Sequence, residues 1–529
     1  MSTTTHRRRL AVLAAVTLAL AAPRGPWAQE ETARTPRPQT PITHLIVIFQ
    51  ENVSFDHYFG TYPIAMPNAD GSSLFGPAKD DTPSVNGLRA AGLLQANPNA
   101  ANPFRLERSQ AVTCDQNHDY GPEQQAFNRG LMDKFVETLG VGSDGTCLDY
   151  GFGPTLTMGY YDGNTVTALW HYAQYFAMND NAFGTTFGPS TPGALNLIAG
   201  QTNGVDQAHT RGTLSSDDIV VATDGSWTVI GDPDPFYDDC GSPPQLAMTG
   251  QNIGDLLNMQ GITWGWFQGG FQPTTPSEQD SPAICNAMSP QVAADGKLQK
   301  DYSAHHAPFQ YYLSTANPHH LPPTSTAMIG QTDQANHQYD LSDFWDAVDH
   351  GNIPAVAFLK AKRAQDGHAN NSDPLDEQVF LVESINRLQQ SPAWPYMAIL
   401  IAYDDSDGWY DHVLGPIVKQ SHSAQDALTD TGHCGTAVTP ADQGRCGYGP
   451  RLPLLVISPW AKVNFVDHTI TDQTSILRFI EDNWHLGRLG NGSFDDKAGT
   501  LVQMFDFDAG PHPEKLFLEP QTGTPMPPP

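Results

Sequence analysis

The chain has 529 residues, of which 57 are acidic and 27 are Lys or Arg, and its formal net charge is −30. This length exceeds what one hydrophobic core usually organises, so we expect a large α/β core with a substantial insertion, or two closely packed units. The negative charge disfavours nucleic acid and anionic membranes as partners. It does not exclude a small anionic ligand, because helix N-termini and a metal ion can supply positive charge locally.

The N-terminal segment has the pattern of an export signal. Residues 6–9 are basic, and residues 10–22 form an apolar run that is too short to span a bilayer comfortably. Ala19 with Ala21, or Ala28, offers a cleavage site. We therefore expect residues 1–28 to be a signal peptide, and the mature protein to be periplasmic or secreted. A membrane anchor is the alternative, and no other segment is long and apolar enough to span a membrane.

Apolar runs and helical periodicity then alternate along the chain. Continuous apolar runs predict strands that are buried on both faces, as in a parallel sheet. The alternation predicts an α/β fold with a doubly wound, mainly parallel sheet. The predicted strands are 44–49, 263–267, 354–360, 397–403 and 452–458, and the predicted helices are 122–139, 164–177, 254–259, 342–348, 373–390 and 474–484.

Long loops separate these elements. Segments 61–117, 205–250 and 270–330 are predicted to contribute a loop-rich cap over the sheet edge. The main domain is predicted to cover residues 43–507. Residues 508–529 are rich in proline and are expected to form a loosely held tail.

Six cysteines in an exported chain predict three disulfides. Proximity in sequence favours the pairs Cys114–Cys147, Cys240–Cys285 and Cys434–Cys446. A zinc cluster is the alternative, but no C-x-x-C spacing supports it.

Two predicted strands end in acidic clusters. Glu51 and Asn52 follow the first strand, and Asp404 and Asp405 follow the strand at 397–403. Ligands bind beyond the carboxyl ends of strands in open α/β sheets, so these side chains converge if the two strands are neighbours. Three carboxylates and an amide oxygen are hard ligands, which suit Ca²⁺, Mg²⁺ or Mn²⁺ better than Zn²⁺. A solvated acidic loop is the alternative interpretation of Asp404-Asp405 alone.

The segment F-G-P-S-T-P-G at 187–193 offers a nucleophile. Pro192 suits the first turn of a helix, which places Ser190 or Thr191 at the helix N-terminus. The positive end of the helix dipole and a nearby metal ion both lower the pKa of a hydroxyl there. A plain helix cap is the alternative.

Three of the nineteen histidines stand in distinctive segments. His118 precedes a predicted helix, His320 lies in N-P-H-H-L-P-P, and His368 follows a predicted strand. Histidine can bind phosphate or protonate a leaving alkoxide at mildly acidic pH. Most histidines are structural, so these segments alone do not establish a role.

Several motifs in order resemble one family. The segment E-N-V-S-F-D-H-Y-F-G at 51–60 closely resembles the signature E-N-R-S-F-D-H-Y-F-G of the bacterial acid phosphatase and phospholipase C family, with Val53 in place of Arg. The segment G-P-S-x-P at 188–192 resembles the family's nucleophile segment. Further matches follow in the family's order, and the resemblance extends from about residue 43 to about residue 485. These matches lie at residues 115–118, 319–323, 365–368, 404–405 and 452–460.

The resemblance implies an alkaline-phosphatase-like fold and a phosphoesterase that depends on one or more divalent metal ions. It implies that the metal ligands are Glu51, Asn52, Asp404 and Asp405. It also implies that Ser190 is the nucleophile, and that phosphate or the leaving group is contacted by His118, His320 and His368.

Three functions stay open within this interpretation. The leading one is an acid phosphatase that hydrolyses phosphomonoesters through a phosphoserine, because Thr191 and Gly193 replace the Trp and Asn of many phospholipase C members. The second is a phospholipase C acting on phosphatidylcholine-type head groups. The third is a non-catalytic binding protein at the cell surface. No C-x-P-x-R segment of the sulfatase type occurs.

Overall fold

The computed structural model describes residues 1–2, 37–143, 145, 147–222, 224–279, 281–292, 296–418 and 447–528. The predicted signal peptide, apart from its first two residues, and the predicted Cys434–Cys446 disulfide lie outside this part of the chain. Pro36–Pro529 forms one compact unit. Among the described residues, no helix has the length and apolar character that a membrane crossing requires.

An eight-stranded sheet forms the centre of this unit. In chain order the strands are β1 (His44–Gln50), β2 (Ala177–Asn179), β3 (Trp264–Gln268), β4 (Gln338–Asp340), β5 (Val356–Lys360), β6 (Met397–Tyr403), β7 (Leu454–Ile457) and β8 (Phe465–Asp467). In space they run in the order β4-β3-β5-β1-β6-β7-β2-β8. Strand β7 is antiparallel to both of its neighbours, and all other adjacent pairs are parallel. The prediction of an α/β fold with a mainly parallel sheet is therefore confirmed.

The α-helices in the described ranges agree with the sequence best in the second half of the chain. All four helices predicted after residue 250 are present, and their ends agree within one residue. The helices are α1 (Phe55–Phe59), α2 (Tyr120–Phe127), α3 (Phe135–Thr138), α4 (Thr167–Tyr175), α5 (Ser190–Ala199), α6 (Ile253–Gln260), α7 (Leu341–Asp349), α8 (Pro374–Gln390) and α9 (Thr474–Trp484).

Two predictions in the first half differ from the structure. The helix predicted over 122–139 is divided into α2 and α3, because Asn128, Arg129 and Met132 adopt positive φ angles of 41°, 61° and 53°. The helix predicted over 164–177 ends at Tyr175, and Ala177 begins strand β2. That short buried strand lies between β7 and β8 and does not stand out as a separate apolar run in the sequence.

The segments between these elements contain short strands and two disulfides. The bonds Cys114–Cys147 and Cys240–Cys285 are both present, which confirms these two pairings. The short strands are Phe104–Arg105 with Gly159–Tyr160, Ala182–Phe183 with Thr471–Asp472, Val205–Arg211 with Gln245–Met248 and Asp234–Pro235, Ile219–Val221 with Trp227–Val229, Met288–Pro290 with Leu298–Lys300, and Phe517–Leu518 with Pro525–Met526.

The proline-rich C-terminal segment is packed into the compact unit, which differs from the expectation of a loosely held tail. Leu516, Phe517 and Leu518 are buried. Gln389 on helix α8 donates to the Leu516 carbonyl at 2.6 Å, and Asn386 donates to the Leu518 carbonyl at 2.7 Å. The three apolar side chains explain the difference, because they give this polar segment a hydrophobic anchor.

Candidate active site

The register of the central strands brings the two acidic clusters together. Gln50 of β1 pairs with Tyr403 of β6 in parallel register, and the Asp404 N–H donates to the Gln50 carbonyl at 3.3 Å. The residues that follow these strands, Glu51 and Asp404, therefore leave the sheet side by side. All seven residues of β6 are buried, which fixes the register of this strand and therefore the position at which Asp404 leaves the sheet.

Lys360 is the last residue of β5, on the other side of β1, and it points its ammonium group into the same place. Its Nζ contacts Glu51 Oε1 and lies 3.3 Å from Asp404 Oδ2. The side chain is 1% exposed. Sequence reasoning missed this residue, because a lysine at the end of an apolar run usually indicates only where a strand reaches solvent.

Ser190 faces the remaining carboxylate oxygens. Its Oγ lies 3.1 Å from Glu51 Oε2 and 3.1 Å from Asp405 Oδ2, and the residue is 2% exposed. Helix α5 begins at Ser190, as its Pro192 predicts. Thr191, the alternative nucleophile, has its hydroxyl 3.4 Å from the Tyr311 hydroxyl instead.

The absence of a side chain at Gly193 allows helix α5 to approach the segment that follows β6. A Cβ at this position would lie 2.2 Å from the Asp404 carbonyl oxygen. Any larger residue must therefore displace either the start of the helix or the backbone of Asp404. This backbone requirement explains Gly193 without reference to substrate choice.

The orientation of the Asn52 amide indicates whether these residues can hold a cation. Its oxygen faces Glu51 Oε2 and Asp404 Oδ1, and Ser190 Oγ lies 3.4 Å away. Exchanging the amide oxygen and nitrogen would instead let the nitrogen donate to Asp404 Oδ1 at 2.9 Å and to Glu51 Oε2 at 2.8 Å. A divalent cation between the oxygens makes the first orientation favourable, since all of them are hard donors. The donor set therefore fits the predicted metal.

The pKa values of the three carboxyl groups also favour a bound cation. Burial opposes ionisation of Glu51, but the charges of His306 and Lys360 hold its pKa well below the ordinary value. Burial, together with the charge of Glu51, raises the pKa of Asp404 well above its ordinary value. Burial raises the pKa of Asp405 to about 7. One lysine thus does not balance three buried carboxyl groups, and a bound cation removes this cost.

Two of the three predicted histidines lie at this cluster. His118 Nε2 lies 3.5 Å from the Asn52 amide nitrogen, and its Nδ1 lies 2.8 Å from the Gln116 carbonyl oxygen. His368 Nε2 also faces the Asn52 side chain, at 3.2 Å. Burial opposes protonation of His118, but the charges of Asp405 and Asp115 raise its pKa well above the ordinary value.

The structure does not bring His320 into this cluster. Its Nε2 lies 2.9 Å from Asp238 Oδ1, its Nδ1 lies 2.8 Å from the Phe271 carbonyl oxygen, and its ring stacks on Phe271. The side chain is fully buried beside the Cys240–Cys285 disulfide. These contacts correct the expectation for His320 and indicate a packing role.

A different histidine pair lies next to the carboxylates. His306 Nδ1 is 3.2 Å from Glu51 Oε1, and the side chain is 4% exposed. His305 lies 3.3 Å from Asp234 Oδ1. Both stand in A-H-H-A-P-F at 304–309. Two His-His pairs occur within twenty residues in this part of the chain, and the sequence alone did not distinguish them.

The site geometry agrees with the result of a comparison with protein families. The family model described as the Phosphoesterase family matches residues 42–487. The chain belongs to this family. The resemblance to a phosphoesterase family that the motifs indicated is therefore confirmed.

The relatives that the chain resembles are named as phospholipases C. It is 26% identical over 461 residues to a non-hemolytic phospholipase C of Burkholderia pseudomallei, covering 83% of this chain and 55% of the relative. It is 22% identical over 519 residues to a non-hemolytic phospholipase C of Pseudomonas aeruginosa, covering 91% of this chain and 59% of the relative. Phospholipase C A of Mycobacterium tuberculosis is 22% identical over 491 residues, covering 89% of this chain and 79% of that protein. The chain thus spans little more than half the length of the first two relatives.

Solved structures with partial similarity include murine ectonucleotide pyrophosphatase/phosphodiesterase 5. The match has a TM-score of 0.32 and 10% identity, and covers 64% of this chain and 95% of the other. A protein of the alkaline phosphatase superfamily from Vibrio parahaemolyticus matches with a TM-score of 0.28 and 10% identity, over 61% of this chain and 62% of that protein.

Proposed function

We propose that this protein is a metal-dependent phosphoesterase in which Ser190 attacks phosphorus. One observation carries the proposal: Ser190 Oγ lies 3.1 Å from oxygens of both Glu51 and Asp405, at the first residue of helix α5. A hydroxyl held between carboxylates has an acceptor for its proton. The helix N-terminus adds partial positive charge where the phosphoryl oxygens accumulate negative charge.

The residues that would hold the metal are the four predicted from the sequence, namely Glu51, Asn52, Asp404 and Asp405. A bound divalent cation supplies positive charge that lowers the pKa of a nearby hydroxyl and stabilises a phosphoryl group in transfer. Lys360 shares Glu51 and Asp404 with this site and offsets part of their charge. The ligand type favours Ca²⁺, Mg²⁺ or Mn²⁺.

Ser190 Oγ gives its proton to the Asp405 carboxylate and forms a bond to phosphorus in line with the ester oxygen, whose bond to phosphorus breaks. The leaving oxygen takes a proton from His118, whose raised pKa favours the imidazolium. Water then attacks the phosphoserine and gives a proton to His118, while the bond between phosphorus and Ser190 Oγ breaks and Oγ takes its proton back from Asp405. His368 and His306 flank the site, and both contact its ligand residues. They are proposed to contact the phosphoryl oxygens.

The preferred ester is a choice between two classes. A phosphomonoesterase is the interpretation that Thr191 and Gly193 favour in the sequence, but the close approach of Gly193 to Asp404 accounts for that glycine independently. The names of the relatives favour a phospholipase C that cleaves phospholipid head groups.

We propose that the protein is exported to oxidising surroundings, whichever ester it prefers, because two disulfides join distant segments of the chain.

A paired assay tests the function and the ester class together. The mature protein is dialysed against chelator, then given p-nitrophenyl phosphate or p-nitrophenylphosphorylcholine at several pH values, with and without Ca²⁺, Mg²⁺, Mn²⁺ or Zn²⁺. Metal-restored turnover of the monoester above the diester identifies a phosphatase, and the reverse identifies a phospholipase C. Turnover that survives complete metal removal contradicts the proposal, and no turnover of any phosphoester favours a binding protein.

A further inference from the structure

One buried carboxyl group outside the proposed reaction joins two segments of the site. Glu123 lies on helix α2 and is 1% exposed. Its Oε2 accepts from the Gly188 N–H at 2.9 Å, and its Oε1 lies 2.7 Å from the Ser406 hydroxyl oxygen. Gly188 is two residues before Ser190, and Ser406 directly follows Asp405. A single side chain thus bridges the nucleophile segment and the metal-ligand segment.

Neither Gly188 nor Ser406 belongs to a strand, so side-chain contacts are needed to hold their segments in position. Gly188 has a φ angle of 109°, and a Cβ at this position would lie 3.0 Å from the Ile230 carbonyl oxygen. Ser406 follows the end of β6, and its hydroxyl oxygen also accepts from the Gly408 N–H at 3.1 Å. The Glu123 carboxyl therefore connects a turn that requires glycine on one side to the loop of Asp405 on the other.

We propose that Glu123 is a positioning residue, which fixes Ser190 relative to Asp405 through Gly188 and Ser406. The proposal rests on Ser190 being the nucleophile, as proposed above. In-line attack requires the reacting atoms to be held within a few tenths of an ångström, and a displacement of about 1 Å far from the chemistry can cost about 10²-fold in rate.

The chemistry of the bridge determines which substitution preserves it. Burial raises the pKa of Glu123 to about 8, so the neutral carboxylic acid dominates near pH 7. A glutamine side chain reproduces this form: its oxygen accepts from the Gly188 N–H, and its nitrogen donates to the Ser406 hydroxyl. Alanine removes both bonds. Glutamine therefore keeps the bridge, and alanine removes it.

The test compares Glu123→Gln and Glu123→Ala with Gln124→Ala as a matched control. Gln124 is the next residue on α2, is equally buried at 1% exposure, and its amide nitrogen has no hydrogen-bond partner in the described part of the chain. We expect Glu123→Ala to lower kcat about 10²-fold with KM changed less than about threefold. Glu123→Gln and Gln124→Ala should stay within about tenfold of the original kcat.

A stability defect would lower activity in another way, so the folded fraction of each variant is measured by circular dichroism and denaturant unfolding as well. Positioning predicts a lower kcat in a variant that is as completely folded as the original protein under the assay conditions. A Ser406→Ala change combined with Glu123→Ala should cost less than the sum of the two single changes, because both break one bridge. Glutamine as harmful as alanine, or a loss accounted for by fewer active molecules, would overturn the proposal.

Hydrogen exchange makes the result independent of turnover. In Glu123→Ala, amide exchange should become faster both in the peptide with Gly188 and in the peptide with Ser406, and in Gln124→Ala it should not. If the original protein hydrolyses no phosphoester, the proposed function fails while the exchange experiment still decides whether the bridge holds the two segments. Unchanged exchange at both peptides in Glu123→Ala would refute the bridge itself.

Discussion

At the residue scale, the buried charge of Lys360 is central to the stability of the site. Its partners Glu51 and Asp404 are fully or almost fully buried, so removing the ammonium group leaves carboxylates without compensation. We predict that Lys360→Met destabilises the metal-free protein by about 3–5 kcal/mol. Urea unfolding measures this change. Lys362→Met is the control, since Lys362 contacts only the Ser289 hydroxyl among its described hydrogen-bond partners and should change stability little.

Glu377 gives a prediction for pH. It accepts from the hydroxyls of Tyr58 at 2.9 Å and Tyr403 at 2.6 Å, and burial raises its pKa from 4.5 to about 8. The folded protein therefore keeps a proton that the unfolded chain loses. The contribution of this group to stability is complete below about pH 4.5 and is lost as the pH rises towards 8.

Glu377→Gln removes this titration. The loss of unfolding free energy between pH 5 and pH 8 should be smaller in the variant by a few kcal/mol, at about 1.4 kcal/mol for each pKa unit. Denaturant unfolding at both pH values provides the measurement. Parallel pH dependence in the two proteins would show that Glu377 is ionised in the folded state.

The positions of the site residues were predictable from the sequence where they follow from the end of a strand or the start of a helix. Glu51, Asn52, Asp404 and Asp405 follow two strands whose apolar runs are unmistakable, and the structure brings these four together. His320 was misplaced because it lies in a long irregular segment, where tertiary packing decides which histidine faces the sheet edge. Lys360 and Glu123 were missed because burial of a charged side chain becomes apparent only from its partners.

At the scale of elements, the docking of helix α5 against the segment after β6 depends on Gly193. Gly193→Ala places a Cβ 2.2 Å from the Asp404 carbonyl oxygen, so the start of the helix must move. We predict that kcat falls about 10- to 100-fold and that the melting temperature falls as well.

Gly121→Ala provides the matched control for this helix position. Gly121 lies in the first turn of α2, and a Cβ there meets nothing within 4 Å. Alanine at 121 should leave kcat unchanged and stabilise the helix slightly. Equal effects at 193 and 121 would contradict the close approach as the cause.

Long elements with clear periodicity were predictable, and short ones were not. The predictions agree with the structure for strands β1, β3, β5, β6 and β7 and for helices α6–α9. A strand that is buried on both faces, or a helix that is buried along one stripe, has an apolar pattern that can be recognised in the local sequence. Strands β2, β4 and β8 have three residues each, and they form only because neighbouring strands of the sheet supply their hydrogen-bond partners. The break between α2 and α3 depends on positive φ angles, which leave no clear sequence signal outside glycine.

At the scale of the whole molecule, the C-terminal segment belongs to the compact unit. Removing residues 508–529 exposes the sites that Leu516, Phe517 and Leu518 fill. Burial of three such side chains contributes on the order of 5 kcal/mol, which is an upper estimate for an extended unfolded chain. We predict a lower melting temperature for this truncation, and no change when only residues 527–529 are removed. Equal melting temperatures for the full chain and both truncations would show that the segment is dispensable.

The composition and motifs therefore predicted the class of the fold and the strand ends that bring Glu51, Asn52, Asp404 and Asp405 together, but not the packing around these residues. The net charge of −30 is compatible with the proposed phosphate-binding site, because Lys360, a helix N-terminus and the proposed cation would concentrate positive charge at one edge of the sheet. The long segments between the elements and the C-terminal segment acquire their positions from long-range contacts, which sequence periodicity does not report.

The proposed role of Ser190 as nucleophile can be tested by trapping the covalent intermediate. The metal-loaded protein is mixed with p-nitrophenyl phosphate, quenched in acid during the first turnovers, digested and analysed by mass spectrometry, with Ser190→Ala treated in the same way. We predict a phosphoryl group on Ser190 in the original protein, and no label and at least about 10³-fold lower turnover in the variant. Phosphorylation at another residue, or full turnover by Ser190→Ala, would contradict it.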